Sequence, residues 1–153
     1  MIPFDKRGKQ AIIFIGIQAS GKTTFYNRML SDESYTHISL DVLHTRNKEN
    51  QVMMDCLNNG KSFVIDNTNP ETSNRKLYIQ KAKEYGYHVI GIFFQSIVKD
   101  CVLRNEERGS KVPSKAIACT SNKLQMPSKA EGFDELYFVR INNNEFEISK
   151  WRE

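Results

Sequence analysis

Apolar residues in this chain fall into short runs separated by longer polar segments. The run AIIFIG at 11–16 is apolar at every position, which is typical of a central strand covered on both faces of a sheet. Shorter runs of apolar and β-branched residues predict four further strands. These strands are predicted at 36–40, 62–66, 87–94 and 135–141. The segment 145–151 follows an Asn-rich turn and is predicted to pair with the strand before it.

The segments between these strands carry apolar residues at helical spacing. The clearest case is 71–86, where the apolar positions recur along one face and the pattern ends at Gly86. Helices are predicted at 21–30, 46–60, 71–86 and 96–108. Because strands alternate with helices, the sequence predicts an α/β fold, a three-layer α/β/α sandwich around a mainly parallel sheet. A polar loop at 109–115 lies within a short helical lid predicted at about 104–124.

Composition adds limits to this picture. The 153 residues contain no repeat or linker, so we expect one domain over 1–153 with a short basic leader at 1–9. The net charge of +4 is compatible with a polyanionic partner without requiring one. The three cysteines are far apart and form no CxxC pair, which favours a reducing compartment. No apolar stretch approaches the roughly 20 residues of a membrane span, so a cytoplasmic protein without a membrane partner is expected.

A phosphate-binding motif directly follows the first strand. The motif G-x-x-x-x-G-K-[ST] comprises Gly16, Ile17, Gln18, Ala19, Ser20, Gly21, Lys22 and Thr23. In such a loop the backbone N–H groups converge on phosphates, and the N-terminus of the next helix adds positive potential. Lys22 is expected to reach the β- and γ-phosphates, Thr23 to coordinate Mg²⁺ and Thr24 to contact the α-phosphate. A chance match is the alternative, but the flanking strand and helix favour a P-loop NTPase fold that binds ATP or GTP.

Two aspartates follow predicted strands and suggest further chemistry. Asp66 ends the strand at 62–66, where it can serve the Mg²⁺ ion or lie beside the acceptor. Asp41 follows the strand at 36–40, at the carboxyl edge where substrates bind in such folds. Its carboxylate is placed to accept the proton of an attacking hydroxyl group. The alternative interpretation is that each aspartate only caps the turn or helix that follows it.

Basic residues near the predicted lid favour a kinase. Arg104 and Arg108 share a helical face, and Lys111 follows in the polar loop. Guanidinium groups on a lid can neutralise the charge that develops on a transferred phosphoryl group. A solvated surface helix is the alternative. No Asn-Lys-x-Asp stretch of the kind that reads guanine is found, so a GTPase is disfavoured.

Together these segments resemble the kinase domain of the polynucleotide kinase family. The resemblance rests on GIQASGKTTF, SLD at 39–41, FVIDNTNPETSNRKLYIQKAKEYG at 63–86, RNEERGSKVP at 104–113 and MPSKAEGF at 126–133. It implies transfer of the γ-phosphate of ATP, with Mg²⁺, to a 5′-hydroxyl end of DNA or RNA. It covers roughly residues 10–140. No Asp-x-Asp pair occurs, so the resemblance does not extend to the phosphatase domain that accompanies some members.

The resemblance also implies roles for individual residues. Lys22, Asp41 as general base and Arg108 as lid arginine would be catalytic, and Arg104, a weaker match, would join Arg108 on the donor phosphates. Thr23 and Asp66 would hold the metal. The residues expected to contact the acceptor are Asp41, His44, Asp66, Asn69 and Arg75.

Two departures from the family pattern keep alternatives open. Gln18 and Ala19 stand in a loop that usually carries another glycine, and His44 stands where some members have an arginine. A kinase of a small alcohol such as a nucleoside, nucleotide or sugar therefore remains possible. So does an ATP-binding module that regulates a partner without transferring phosphate.

Overall fold

A six-stranded sheet lies at the centre of the structure, a computed structural model that describes residues 2–32, 34–108 and 112–153. The strands are β1 (Gln10–Ile15), β2 (Thr36–Ile38), β3 (Phe63–Ile65), β4 (His88–Phe94), β5 (Glu135–Asn142) and β6 (Glu145–Lys150). The helices are α1 (Lys22–Met29), α2 (Leu40–Leu43), α3 (Arg46–Asn59), α4 (Thr72–Glu84), α5 (Val98–Glu106) and α6 (Ser114–Lys123). A short 3-10 turn spans Lys129–Glu131.

The strands are arranged in the order β2-β3-β1-β4-β5-β6. The first five run parallel, with Ile12 of β1 paired to Val64 of β3 and Ile90 of β4. Only the last pairing, β5 with β6, is antiparallel. The α/β prediction with a mainly parallel sheet is therefore confirmed. The carboxyl ends of the five parallel strands lie along one edge, and the segments that follow β1, β2, β3 and β4 carry the predicted site residues.

Both faces of the central strand are covered. Ile13 and Ile15 belong to the apolar cluster on one face of the sheet, while Ile12 and Phe14 belong to the cluster on the other. All six residues of β1 are buried. This explains why the first run is continuously apolar instead of alternating. The leader packs against the same sheet, because the ring of Phe4 lies 5.7 Å from that of Tyr137.

Two helices were not predicted individually from the sequence. α2 has only four residues and begins after Ser39, whose hydroxyl accepts a hydrogen bond from the Asp41 N–H. α6 begins at Ser114, inside the stretch predicted as a loop, and its buried residue is Ile117. It lies within the stretch at about 104–124 for which a helical lid was predicted. Lys111, predicted to belong to the lid, lies outside the described residues.

Among the described residues, no helix is both long and apolar enough to traverse a lipid bilayer.

Candidate active site

The glycine-rich loop between β1 and α1 is anchored to the turns that follow β3 and β4, the strands on either side of β1. The Gly16 N–H donates to the Thr68 carbonyl at 3.0 Å, and the Ile17 N–H donates to Ser96 Oγ at 3.1 Å. A Cβ atom on Gly16 would lie 3.0 Å from Phe94 Cβ and 3.3 Å from the Phe94 carbonyl oxygen of β4, besides 2.7 Å from the Ser20 hydroxyl. Glycine is therefore needed at the first motif position, and the loop is held from both sides of β1.

Two residues of the loop adopt left-handed backbone conformations. Their φ angles are 62° at Ala19 and 100° at Gly21. Glycine adopts this conformation freely, whereas it costs other residues roughly 1–2 kcal/mol. The Ala19 carbonyl accepts a hydrogen bond from Arg104 Nη1 at 2.9 Å. The alanine that replaces the expected glycine therefore keeps a glycine-like backbone and is tied to α5.

Lys22 is folded back into the loop that it follows. Its side chain is buried, and Nζ donates to the carbonyls of Gly16 at 3.0 Å and Ile17 at 2.9 Å. Burial lowers the pKa of Lys22 to about 8; the carboxylates of Asp66 and Asp41 oppose this shift, and Arg108 adds to it. The ammonium group therefore lies within electrostatic reach of both predicted aspartates and of the predicted lid arginine.

A hydrogen-bonded group joins α1 to β2 and β3. Thr23 Oγ1 donates to Asp66 Oδ2 at 2.7 Å, and His37 Nε2 lies 2.8 Å from the same oxygen. Tyr26 packs on the His37 ring with centroids 4.3 Å apart. Sequence reasoning missed His37, although its place in β2 next to the strand ending in Asp66 was a usable signal.

Thr23 and Asp66 are ligand types that magnesium commonly takes from proteins. Mg²⁺ usually takes one or two carboxylate or hydroxyl ligands from the protein and the rest from phosphates and water. Thr23 and Asp66 supply a hydroxyl and a carboxylate that already contact each other. In the described parts of the chain, no cluster of three or more His, Cys, Asp or Glu side chains is found that could hold a metal by itself.

Asp41 lies on α2, which starts at the carboxyl end of β2. Its side chain is exposed, and its backbone N–H donates to Ser39 Oγ at 3.2 Å. The neighbouring Leu40 N–H donates to Asn67 Oδ1 at 3.0 Å, which ties α2 to the turn after β3. His44 ends α2 in a left-handed conformation with φ 69° and is exposed. The structure therefore brings Asp41 to the edge that carries Lys22, as the sequence predicted.

The lid region contacts the loop through two helices. Besides the Arg104 bond, Gln18 Nε2 donates to Thr120 Oγ1 of α6 at 3.0 Å. Ile17 packs with Cys101 of α5 and Ile117 of α6 in a small apolar cluster. α5 and α6 therefore cover the side of the loop that carries Gln18.

The same regions hold three further exposed or unpaired groups. Arg108, just beyond α5, is exposed, as is Thr24 in α1. Gln18 Oε1 is buried without a hydrogen-bond partner among the described residues. The side chains of Arg108 and Thr24 are therefore accessible to a ligand at the loop.

Asn69 and Arg75 do not face this site. Arg75 is 0% exposed; its Nε donates to Glu131 Oε1 at 2.8 Å, its Nη2 to Glu131 Oε2 at 3.1 Å and its Nη1 to the Asn69 carbonyl at 2.9 Å. Asn69 is buried, and its Nδ2 donates to the Phe14 carbonyl at 2.8 Å. These placements argue against the predicted acceptor contacts. Both residues instead fix the turn after β3 to β1 and to the 3-10 turn.

Known proteins with similar sequences are kinases or bifunctional kinases. A "Bifunctional polynucleotide phosphatase/kinase" of Schizosaccharomyces pombe is 29% identical over 153 residues, covering 95% of this chain. A "Putative bifunctional polynucleotide phosphatase/kinase" of Acanthamoeba polyphaga mimivirus is 38% identical over 159 residues, covering 97%. The chain spans 38% of the length of each. An "L-seryl-tRNA(Sec) kinase" of Methanococcus maripaludis is 25% identical over 141 residues, covering 80% of this chain and 55% of that protein.

A solved structure shows the same fold at low identity. A gluconokinase from Sinorhizobium meliloti 1021 matches with a TM-score of 0.62 and 16% identity, covering 88% of this chain and 83% of that chain. The sheet order and the loop between β1 and α1 thus define a P-loop nucleotide-binding protein with the fold of P-loop kinases. The family described as AAA domain matches residues 12–127, and the chain belongs to that family. The resemblance to polynucleotide kinases is confirmed by the first two relatives.

Proposed function

We propose that this chain is a kinase that transfers the γ-phosphoryl group of ATP to the 5′-hydroxyl end of DNA or RNA. The observation that carries the proposal is the meeting of Lys22, the Thr23–Asp66 pair and Asp41 at one edge of the sheet. The names of two relatives that align with nearly the whole chain support a polynucleotide as the acceptor.

The donor side would be formed by the loop and the start of α1. The N–H groups of the loop and the α1 N-terminus would contact the phosphates of ATP. Lys22 would exchange its present bonds to the Gly16 and Ile17 carbonyls for the β- and γ-phosphates, and Thr24 would contact the α-phosphate. Thr23 and Asp66 would hold Mg²⁺, which when bound neutralises phosphate charge and orients the donor.

The acceptor side would depend on Asp41. The hydroxyl oxygen forms a bond to the γ-phosphorus as the bond from that phosphorus to the β–γ bridging oxygen breaks. The hydroxyl proton passes to the Asp41 carboxylate, and ADP leaves. Arg108 would neutralise charge on the transferred group, with Arg104 as a weaker candidate, and His44 and Asp66 would lie beside the acceptor.

All three cysteine thiols are free, which supports a reducing, cytoplasmic location.

The test is to offer γ-labelled ATP and Mg²⁺ with a panel of acceptors. The panel contains 5′-hydroxyl DNA, 5′-hydroxyl RNA, nucleosides, 3′-phosphate nucleotides and gluconate. We expect label at the 5′ end of a polynucleotide, with activity that falls steeply as salt rises because contacts to backbone phosphates release counterions. Labelling of small alcohols alone would contradict the polynucleotide assignment.

A second candidate is a kinase of another alcohol. The seryl-tRNA kinase relative and the gluconokinase fold match motivate it, since their names specify different acceptors. This candidate predicts transfer to an alcohol other than a 5′-hydroxyl end; the transfer is insensitive to salt for a small alcohol such as gluconate and sensitive to salt for a seryl group carried on tRNA. A regulatory module without transfer predicts ATP binding and no label in any acceptor.

A further inference from the structure

The carboxylate of Glu49 is buried near the site but has no part in the proposed chemistry. Glu49 lies in the first turn of α3 and is 4% exposed. Its Oε1 accepts hydrogen bonds from Tyr78 Oη at 2.7 Å and from Arg46 Nη1 at 3.2 Å. Its Oε2 accepts a hydrogen bond from Asn67 Nδ2 at 2.7 Å. Burying a carboxylate this deeply costs free energy of folding unless hydrogen bonds replace those lost to water, and here three side chains donate to it.

Asn67 connects this carboxylate to the segment that carries Asp41. Its Oδ1 accepts a hydrogen bond from the backbone N–H of Leu40 at 3.0 Å. Leu40 is the first residue of α2, and Asp41 is the second. Asn67 also directly follows Asp66 along the chain. One amide therefore links the turn that carries Asp66 to the helix that carries Asp41.

The carboxylate fixes which way this amide points. An ionised carboxylate only accepts hydrogen bonds, so the NH₂ group of Asn67 must face Glu49 and its oxygen must face the Leu40 N–H. The Tyr78 hydroxyl is a donor in the same cluster, and burial together with its bond to Glu49 raises the pKa of Tyr78. α2 has only four residues; Leu43 packs against the apolar core at its end, and the hydrogen bond from Leu40 to Asn67 fixes its start.

We propose that Glu49 is a positioning residue that holds Asp41 in place through Asn67 and the Leu40 N–H. This inference rests on the proposed role of Asp41 as the base. Glu49 does not touch the reacting atoms. Its effect is to keep α2 at one distance and angle from the turn after β3, because a misplacement of about 1 Å can cost about 10²-fold in rate.

The test reverses the direction of one hydrogen bond. In Glu49→Gln, the new NH₂ group faces Asn67, since Tyr78 and Arg46 require an acceptor on the other side. The Asn67 amide then has to flip, and it loses the hydrogen bond that it accepts from the Leu40 N–H. In the double variant Glu49→Gln with Asn67→Asp, the Gln amide donates to the new carboxylate, which still accepts from the Leu40 N–H. All the donors of the original cluster again have acceptors.

The expected results separate positioning from general stability. For Glu49→Gln we expect kcat to fall about 10- to 100-fold, while KM for ATP stays within about twofold. The Leu40 amide should exchange with solvent at least about tenfold faster, because its acceptor is lost. The double variant should recover at least about fivefold in kcat and most of the Leu40 protection. If Glu49→Gln fails to fold, Asn67→Ala is the substitute variant. It leaves Glu49 with Tyr78 and Arg46 and should show the same loss of kcat.

A matched control is available on β6. Glu147 also accepts hydrogen bonds from an arginine and an asparagine, Arg140 and Asn142, but it is exposed. Glu147→Gln should leave kcat and Leu40 exchange unchanged.

Two results would overturn the inference: Leu40 exchange unaltered in Glu49→Gln or Asn67→Ala, or a double variant no better than the single one. Hydrogen exchange at Leu40 is measured without ATP or a polynucleotide, so it tests the position of α2 independently of kinase activity. Failure of the wild-type protein to label any polynucleotide would defeat the proposed function and leave this exchange test valid. Altered exchange with wild-type kcat would defeat positioning and leave the function intact.

Discussion

The donor side and the acceptor side of the site are held in place in different ways. On the donor side, the loop is fixed by its own backbone, through the Gly16 N–H and the carbonyls that accept from Lys22. On the acceptor side, Asp41 lies on a four-residue helix that is linked to the turn after β3 by the side chain of Asn67. Substitutions on the two sides should therefore have different consequences for binding and for transfer.

The largest effect is expected from Asp41 and Lys22. We expect Asp41→Asn to bind ATP with near wild-type affinity and to lose about 10²–10⁴-fold in kcat, the range for removing a general base. Lys22→Met should weaken ATP binding as well, because its ammonium group is proposed to contact the phosphates. Single-turnover transfer and titration calorimetry measure the two effects separately. Wild-type turnover in Asp41→Asn would remove the distinction between the two sides.

The buried ion pair between Arg75 and Glu131 should control stability. Arg75→Met leaves Glu131 without the arginine that meets both of its oxygens, and removing one partner of a buried pair costs about 3–5 kcal/mol. The exposed pair Arg140–Glu147 is the control, and Arg140→Met should cost at most about 1 kcal/mol. Urea unfolding measures both changes. Equal costs for the two variants would show that the buried pair does not fix the turn after β3.

The donor side should also show a proton linkage. The pKa of free Lys22 is about 8 because of burial, and a bound triphosphate favours the charged form. Binding at high pH must therefore take up a proton, so ATP affinity should fall as pH rises through 8. The uptake should therefore be small near neutral pH and should approach one proton well above pH 8.

Calorimetry in two buffers with different ionisation enthalpies measures this uptake. Lys22→Arg stays charged and should show none. Equal uptake near neutral pH and well above pH 8 in wild-type protein would mean that Lys22 is not the linked group.

The smallest effect is expected at Ala19. Glycine is free of the strain that alanine carries at φ 62°, so Ala19→Gly should raise the free energy of unfolding by up to about 1 kcal/mol. Ala118, exposed within α6, is the control, because glycine there should lower stability by about 0.5–1 kcal/mol. Thermal unfolding of the two variants should therefore shift in opposite directions. A loss of stability in Ala19→Gly would mean that the loop is not strained there.

The donor side was largely predictable from the sequence because its residues are neighbours along the chain. A strand, a glycine-rich loop and a helix start occur within one short segment, and the structure has β1, the loop and α1 in that order, with Lys22 and Thr23 at the start of α1. Asp66 and Asp41 were found because both follow strands whose ends share an edge. The burial of β1 followed from its continuous apolar run, whereas the strand order was not predicted.

The acceptor side was less predictable because its side chains are placed by distant partners. Arg75 was expected at the acceptor, but Glu131, 56 residues away, draws it into the interior. Glu49 carried no signal in the sequence, since a glutamate in the first turn of a helix usually faces solvent. α6 was predicted only as part of a short helical lid at about 104–124, because the polar, breaker-rich start of that stretch hid where the helix begins; Thr120 and Ile117 place it against the loop.

The turn after β3 has a consequence for how the chain tolerates changes in length. Four consecutive residues each contact a different segment: Asp66 contacts Thr23, Asn67 the Leu40 N–H, the Thr68 carbonyl the Gly16 N–H, and Asn69 the Phe14 carbonyl. A single inserted or deleted residue here would shift every following contact by one position. Natural variation in this turn should therefore be confined to substitutions, while insertions gather in the β5–β6 turn.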